Sequence, residues 1–584
     1  MTLIGSRDEF DKVDTSTLYL PIANWTGRLI LPSQEQRSRD SVLFEVHNAD
    51  PAYRDLVGQI ISLEWSSKPE VQAFVSSVTV DISFTQATIN SQKRGLVHPE
   101  RLNNWQQVGP LESLAGARPQ DDLIVMLPSP VVVNVASDQR SAIIIEQQPV
   151  QITGSIYALV TIVRREGNSD RFGVRHFNKV SKQFDGAEEI IRIPQASPDR
   201  RGVPRSTNRD LEKSPLNSSG WYVYGVKTDG IFVTQAIAPR AIMQLQRERV
   251  YLGLEPAIAY INEENWLNTK SQKGTAKTAL LAPEAQSAQA AISDWQEGDR
   301  AVTIHTFGGI GGKKGEFVFP PGFITGHFAY GMARVVREPL ADELQFDIEY
   351  RQVYAHNPDA IVSGAIHWSC FMGDLQRGWL GNRPACDLLV KFPAVTQDYD
   401  FDGINLSPIK ELIRQLDLMT ARYRTGDGDG ASLVSPASSC VQDSNQALFL
   451  TIEQIEQEMA SNPQIQDWLN RHPQDVQTQR FEQLRRLGEM LERSLVPLGI
   501  VRSDWRRDRE KLVGIGNEDN IIIALIRGFL SWRTMVPRRA QDEIVTTWLK
   551  NSASLWVLRT NQVGGYNPDI TPLAPTTLFG NSTR

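Results

Sequence analysis

The sequence predicts an α+β protein of several domains, on three observations. Short β-type runs divided by turns fill the chain from Thr17 to about Thr234. Apolar residues at the i+3/i+4 spacing of an amphipathic helix take over after Ser444. The 584 residues exceed what one hydrophobic core organises, at the usual ~100–200 residues per domain.

From the N-terminus, Leu18-Tyr-Leu-Pro-Ile, Val78-Thr-Val-Asp-Ile-Ser-Phe and Val131-Val-Val-Asn-Val read as strands. They predict one or two small β domains over residues 1–165. A second β region, 166–255, holds the strand run Gly220 to Thr234. It is interrupted by the Pro/Arg/Ser-rich stretch 194–219, expected as an exposed linker. Asn268 to Ala291, rich in Lys, Ala, Gln and Thr, lacks strand patterning and reads as flexible. Residues 292–455 form the segment expected to carry any chemistry. Beyond it, 456–584 reads as helical, with Gln479–Leu498 and Ala540–Leu558 as helices and Gly564–Arg584 as a loose Pro/Thr/Asn-rich tail.

Composition narrows the function classes. A hydrophobic content of 41% with 22% charged residues is that of a globular chain. The net charge of -7 argues against nucleic acid as the main partner, because phosphate neutralisation needs a positive surface. Cys370, Cys386 and Cys440 are the three cysteines. Their odd number in a long chain argues against a disulfide framework and for a reducing, cytoplasmic setting. Met1 to Val13 lacks the basic start and apolar run of a signal peptide. The apolar run Ile521–Ile526 ends at Arg527, far short of the ~20 residues that span lipid. Peripheral membrane contact stays open.

No metal or other cofactor is expected. The eight histidines form no His-Glu-x-x-His and the cysteines no Cys-x-x-Cys. Gly426-Asp-Gly-Asp-Gly-Ala opens like a calcium loop but lacks the later ligands and terminal Glu, so it reads as a solvated turn. Gly308-Gly-Ile-Gly-Gly-Lys-Lys-Gly fits no phosphate-loop spacing and reads as a flexible hairpin or lid.

Cys440 stands out because Ser435-Pro-Ala-Ser-Ser-Cys440-Val-Gln-Asp places a thiol in the first turn of a helix capped by Ser438 or Ser439. Unpaired N–H groups and the helix dipole there favour thiolate. The alternative is a buried, inert cysteine, against which the polar neighbours Ser438, Ser439, Gln442, Asp443 and Asn445 count. A thiolate catalyst needs a base. Gly326-His327-Phe-Ala-Tyr330 reads as a His heading a strand. A second strand, Leu344 to Tyr354, returns as a hairpin towards His356, so His356 or Gln352 is expected to orient the imidazole.

These residues resemble the circularly permuted papain-like thiol enzymes, the group of NlpC-type amidases and lecithin:retinol acyltransferase relatives. Three features carry the resemblance: Trp295-Gln-Glu-Gly-Asp-Arg-Ala-Val-Thr-Ile as a Gly-Asp-then-strand opening, Gly326-His327-Phe-Ala-Tyr as the His strand, and Ser439-Cys440 opening a helix. The order, His before Cys, also matches. The resemblance covers about Trp295 to Leu450 and implies a permuted papain-like α+β domain; the insertion Ser363 to Arg424 departs from a minimal member. The whole chain also resembles large bacterial proteins labelled Abi or CAAX-type proteases. The intramembrane enzymes of that name use glutamates and histidines within apolar spans, whereas Glu263-Glu264-Asn-Trp here lies in a polar setting.

The insertion segment His367-Trp368-Ser-Cys370-Phe-Met-Gly-Asp mixes aromatic and polar residues as binding clefts do. Cys370 with His367 or His356 is therefore a rival nucleophile pair. Arg422 and Arg424 offer bidentate contacts to an anionic group, or are surface arginines in a turn. Tyr330, Trp368, Arg422, Arg424, Gln442 and Asp443 are the expected substrate contacts. The expected activity is a thiol-dependent hydrolase or acyltransferase acting on an amide, ester or thioester, on an acyl or peptide-like substrate. The alternatives are a noncatalytic scaffold, docking a partner protein through its N-terminal β domains, or a protease of the Abi/CAAX-labelled type.

Overall fold

The computed structural model describes residues 18–35, 37, 41–93, 99–118, 121–134, 141–199, 202, 205–317, 322–354, 362–428, 439–499 and 536–577. His356, Ser438 and the Ile521–Ile526 run lie outside the described residues. The protein is α+β, 33% helix and 32% strand, with several sheets.

Eight strands matter for the site: β1 (Val150–Gln151), β2 (Ala276–Ala282), β3 (Arg300–Phe307), β4 (His327–Glu338), β5 (Glu343–Gln352), β6 (Gly364–His367), β7 (Pro384–Lys391) and β8 (Ser554–Asn561). They form one sheet in the order β2-β8-β7-β3-β4-β5-β6-β1, which continues into Ile124–Met126 and the other N-terminal strands. Four helices matter: α1 (Pro408–Thr425), α2 (Cys440–Ser461), α3 (Val476–Gly499) and α4 (Pro537–Lys550). The segments expected as separate units thus share a sheet, with the N-terminal β region and the C-terminal segment both contributing strands.

Strand periodicity divides the interior into two cores, because successive side chains point to opposite faces. Val302, Ile304, Leu388, Val390, Leu555, Val557, Phe328 and Tyr330 enter one core with α1, α2, α3 and α4. Ala301, Phe307, Leu389, Trp556, Leu558, Ala333 and Val335 enter the other. That second core is closed by a separate sheet, in which Ile156–Arg165 pairs with Arg171–His176 and Trp221–Thr228. Its strand Trp221–Thr228 falls in the run expected from Gly220.

Local structure departs from expectation where both faces of a strand are buried. Asn268–Ala291, expected as flexible, contains β2, whose Thr-Ala-Leu-Leu-Ala is buried throughout. A strand covered on both sides reads as an apolar run with no alternation. Likewise the helix expected over Ala540–Leu558 ends at Lys550, and Ser552 takes a φ of 69°. Leu555-Trp-Val-Leu then becomes β8, paired with β2 and β7. In the tail expected to be loose, Thr571–Leu573 pairs with Gly309–Gly311, the segment expected as a hairpin or lid. Val78, expected to open a strand, ends the helix Pro69–Val78.

Candidate functional site

The helix expected after Ser439 forms as α2. The Ser439 hydroxyl accepts the Gln442 N–H at 3.3 Å, and Cys440 is the first helical residue. The capping satisfies one of the orphan donors at the helix start. Gln442, Asp443, Ser444, Asn445 and Gln446, the polar run that follows, are all buried.

β4 and β5 form the expected hairpin, with Tyr330 opposite Arg351. Gly326 precedes β4 with a φ of 71°, and a Cβ there would fall 2.2 Å from the Phe307 carbonyl oxygen. Only glycine combines that conformation with so close an approach. Phe307 pairs with His327 in register and the two rings lie 5.1 Å apart, so the imidazole leaves the strand on the Phe307 face.

His327 and Gln352 meet. Both atoms of the Gln352 side-chain amide meet His327 Nε2, Oε1 at 2.8 Å and the nitrogen at 2.7 Å, and that nitrogen also donates to the Tyr354 carbonyl. Where Oε1 is the partner the imidazole carries its proton on Nε2 and Nδ1 is left basic; where the amide nitrogen donates, Nε2 is the basic nitrogen.

Cys440 approaches from the opposite, helical face. The backbone N–H groups of Phe328, Val441 and Cys440 itself lie close enough to its sulfur to favour the thiolate. The sulfur is therefore near the peptide N–H that follows His327, whereas the imidazole leaves β4 on the other face, towards Phe307. Burial pushes the Cys440 thiol up to about 12; the three N–H groups oppose this, and the Asp443 carboxylate adds to it. The expected depression by the helix start is thus outweighed by desolvation.

The other expected residues fall into two groups. Tyr330, Gln442 and Asp443 surround the first turn of α2. Tyr330 donates to Asn445 at 3.0 Å, and Tyr354 donates to Asp443 while packing edge-on to Tyr423. Trp368, Arg422 and Arg424 serve packing instead. Trp368 is 2% exposed in the second core, and Arg422 lies 3.4 Å from the Ser77 carbonyl. Arg424, expected to grip an anion, is fully buried; it donates to Ser113 Oγ and to the Ser363 and Pro110 carbonyls.

The rival pair of Cys370 with His367 does not assemble, and His356, the other partner expected for Cys370, lies outside the described residues. His367 caps the short helix Trp368–Phe371 by accepting the Ser369 N–H and turns Nε2 to Asp347 at 3.2 Å. Cys370 instead lies beside Thr153, and burial pushes its thiol up to about 11.

One cluster escaped the sequence. His305 Nδ1 lies 2.6 Å from Asp387, whose other oxygen accepts the Tyr350 hydroxyl at 2.8 Å, while His305 Nε2 has no partner. Nothing local announces it, because β3, β5 and β7 supply one residue each. Among the described residues, no group of three or more His, Cys, Asp or Glu side chains is placed to hold a metal ion. No described helix is long and apolar enough to cross a membrane. No protein-family model matches the chain, and no curated protein or solved structure matches it either.

Proposed function

We propose that the protein is a thiol-dependent hydrolase or acyltransferase with Cys440 as nucleophile, His327 as base and Gln352 as the residue that orients the base. One observation carries the reading: Cys440 opens a 22-residue helix with its sulfur near the Phe328 N–H, one residue after the His327 whose Nε2 meets the Gln352 amide. A nucleophile, a base and an orienting amide are the three parts such catalysis needs. The resemblance of this stretch to permuted papain-like enzymes points the same way.

In the proposed reaction the sulfur attacks the carbonyl carbon of an amide, ester or thioester as its proton passes to the basic nitrogen of His327. The carbonyl π pair moves to oxygen, where the N–H groups at the α2 start stabilise it. Collapse expels the leaving group, which takes the proton from His327, and leaves a thioester on Cys440. Water or another acceptor, deprotonated by the same imidazole, then cleaves that thioester. The reading requires the imidazole to turn from Phe307 towards the sulfur.

A noncatalytic scaffold is the second reading, favoured by the raised thiol and by the opposite faces from which sulfur and imidazole depart. Iodoacetamide labelling of the native protein, with the alkylated cysteine located by peptide mapping, separates the two. Rapid alkylation of Cys440 that is lost in His327→Ala is the expected result. A Cys440 that reacts only after denaturation, or equally fast without the imidazole, refutes the enzyme reading.

A further inference from the structure

A cleft of about 460 Å³, which Cys440 does not line, forms where five segments meet: the lead into Ile124–Met126, Gln151–Gly154, Pro194–Ala196, the strand Ile231–Pro239, and the turn after Cys370. Its volume falls in the usual ~300–1,000 Å³ range of small-molecule sites. Two features of its wall lack an internal explanation.

The first is a pair of guanidinium groups aimed at one atom. Arg118 Nη1 lies 3.2 Å from Asp121 Oδ2, and Arg377 Nη2 donates to that same oxygen. Arg118 is 5% exposed, and burial together with the charge of Arg377 pulls its pKa down. The two guanidinium groups converge on one half-exposed carboxylate, and the Nε atoms of both arginines have no hydrogen-bond partner. The turn that presents Arg377 is firmly built. Asp374 Oδ1 accepts the N–H groups of Gln376 and Arg377 at 2.8 and 2.7 Å, and Oδ2 accepts the Thr153 hydroxyl at 2.6 Å.

The second feature is a pair of buried, unpartnered polar atoms on residues that line the cleft. Gln151 donates its amide nitrogen to the Val362 carbonyl at 2.9 Å, but its Oε1 has no partner, and neither has Thr234 Oγ1. Both residues are 1% exposed. Buried polar atoms are nearly always paired, so two such orphans lining one cavity call for donors from a ligand.

We infer that this cleft binds a short peptide through its free α-carboxylate, held by Arg118 and Arg377, with its amide N–H groups donating to Gln151 and Thr234. Guanidinium groups suit a planar carboxylate. The lining carboxylates Asp121, Asp122 and Asp374 outnumber the two arginines and disfavour a phosphate dianion. The site does not depend on chemistry at Cys440.

Calorimetric titration of the full chain with trialanine, trialanine amide and inorganic phosphate tests this. Trialanine should bind, with the amide at least about tenfold weaker and phosphate not competing, since the charged pairing carries the selectivity. Thr234→Val and Arg377→Gln should each weaken trialanine binding about fivefold or more, without a change in melting temperature. No trialanine binding at about 10 mM, equal affinity for the amide, tighter binding of phosphate, or binding indifferent to both variants would each overturn the inference.

Discussion

Gln352 meets His327 with both atoms of its amide, Oε1 at 2.8 Å and the nitrogen at 2.7 Å from Nε2, while the nitrogen also donates to the Tyr354 carbonyl. The contact orients the imidazole and takes part in selecting its tautomer. Gln352→Leu removes that selection while keeping the approximate volume. The alkylation rate of Cys440 should fall about 10- to 100-fold, the order of effect seen when an orienting partner is lost. Gln352→Glu retains an acceptor and should keep most of the rate. If Leu and Glu behave alike, Gln352 is only packing.

The proton of Cys440 has a definite pH signature. Burial raises the thiol to about 12, so an unassisted sulfur is almost wholly protonated at neutral pH, and its alkylation rate climbs without a break towards that value. Base assistance by His327 makes the rate rise through the imidazole range and level off below about pH 9. The wild type should show this early plateau, and His327→Ala should revert to the continuous climb. A stopped-flow rate profile that has no plateau in the wild type removes the imidazole from the mechanism.

These two tests bear on parts of the molecule that the sequence displayed unevenly. The α2 cap and the β4–β5 hairpin were legible because each is written in adjacent residues: Ser439 before Cys440, and an Ala341-Asp342 turn between two alternating strands. β2 and β8 were not, since Thr-Ala-Leu-Leu-Ala and Leu-Trp-Val-Leu owe their strand state to partners on both sides and to burial of both faces. Side-chain fate was less legible still. Arg424 looked like an exposed anion grip beside a glycine-rich turn. Its burial follows from α1 packing against Pro110–Ala115, more than 300 residues upstream, as the partners Ser113 and Pro110 record. His305 and Asp387 meet only because β3 pairs with β7.

Arg424 therefore answers to stability rather than to substrate. Its guanidinium satisfies Ser113 Oγ and the Ser363 and Pro110 carbonyls, joining α1 to β6 and to the N-terminal region. Burial lowers its pKa to about 9, yet it stays protonated at neutral pH. Arg424→Met leaves those acceptors without a donor and should cost about 3–5 kcal/mol, read as a shift in the urea midpoint. Arg424→Lys should recover little, because one ammonium cannot span three separated acceptors. Unchanged stability in both variants would mean that the N-terminal region is not anchored through this contact.

Asp542 on α4 provides a pH test that is independent of the candidate site. Burial raises its carboxyl to about 7, against the partial opposition of Arg538 and Arg539. The unfolded carboxyl titrates at ~3.9, so between that value and 7 the folded state holds the proton more tightly. Stability then falls as pH rises through this window and levels off above it, because the native state binds more protons than the unfolded chain. Urea unfolding at pH 5 and pH 8 should show a loss at the higher pH that shrinks in Asp542→Asn. That variant cannot ionise, whatever its absolute stability beside Arg538. A pH dependence identical in the two proteins would place the proton elsewhere.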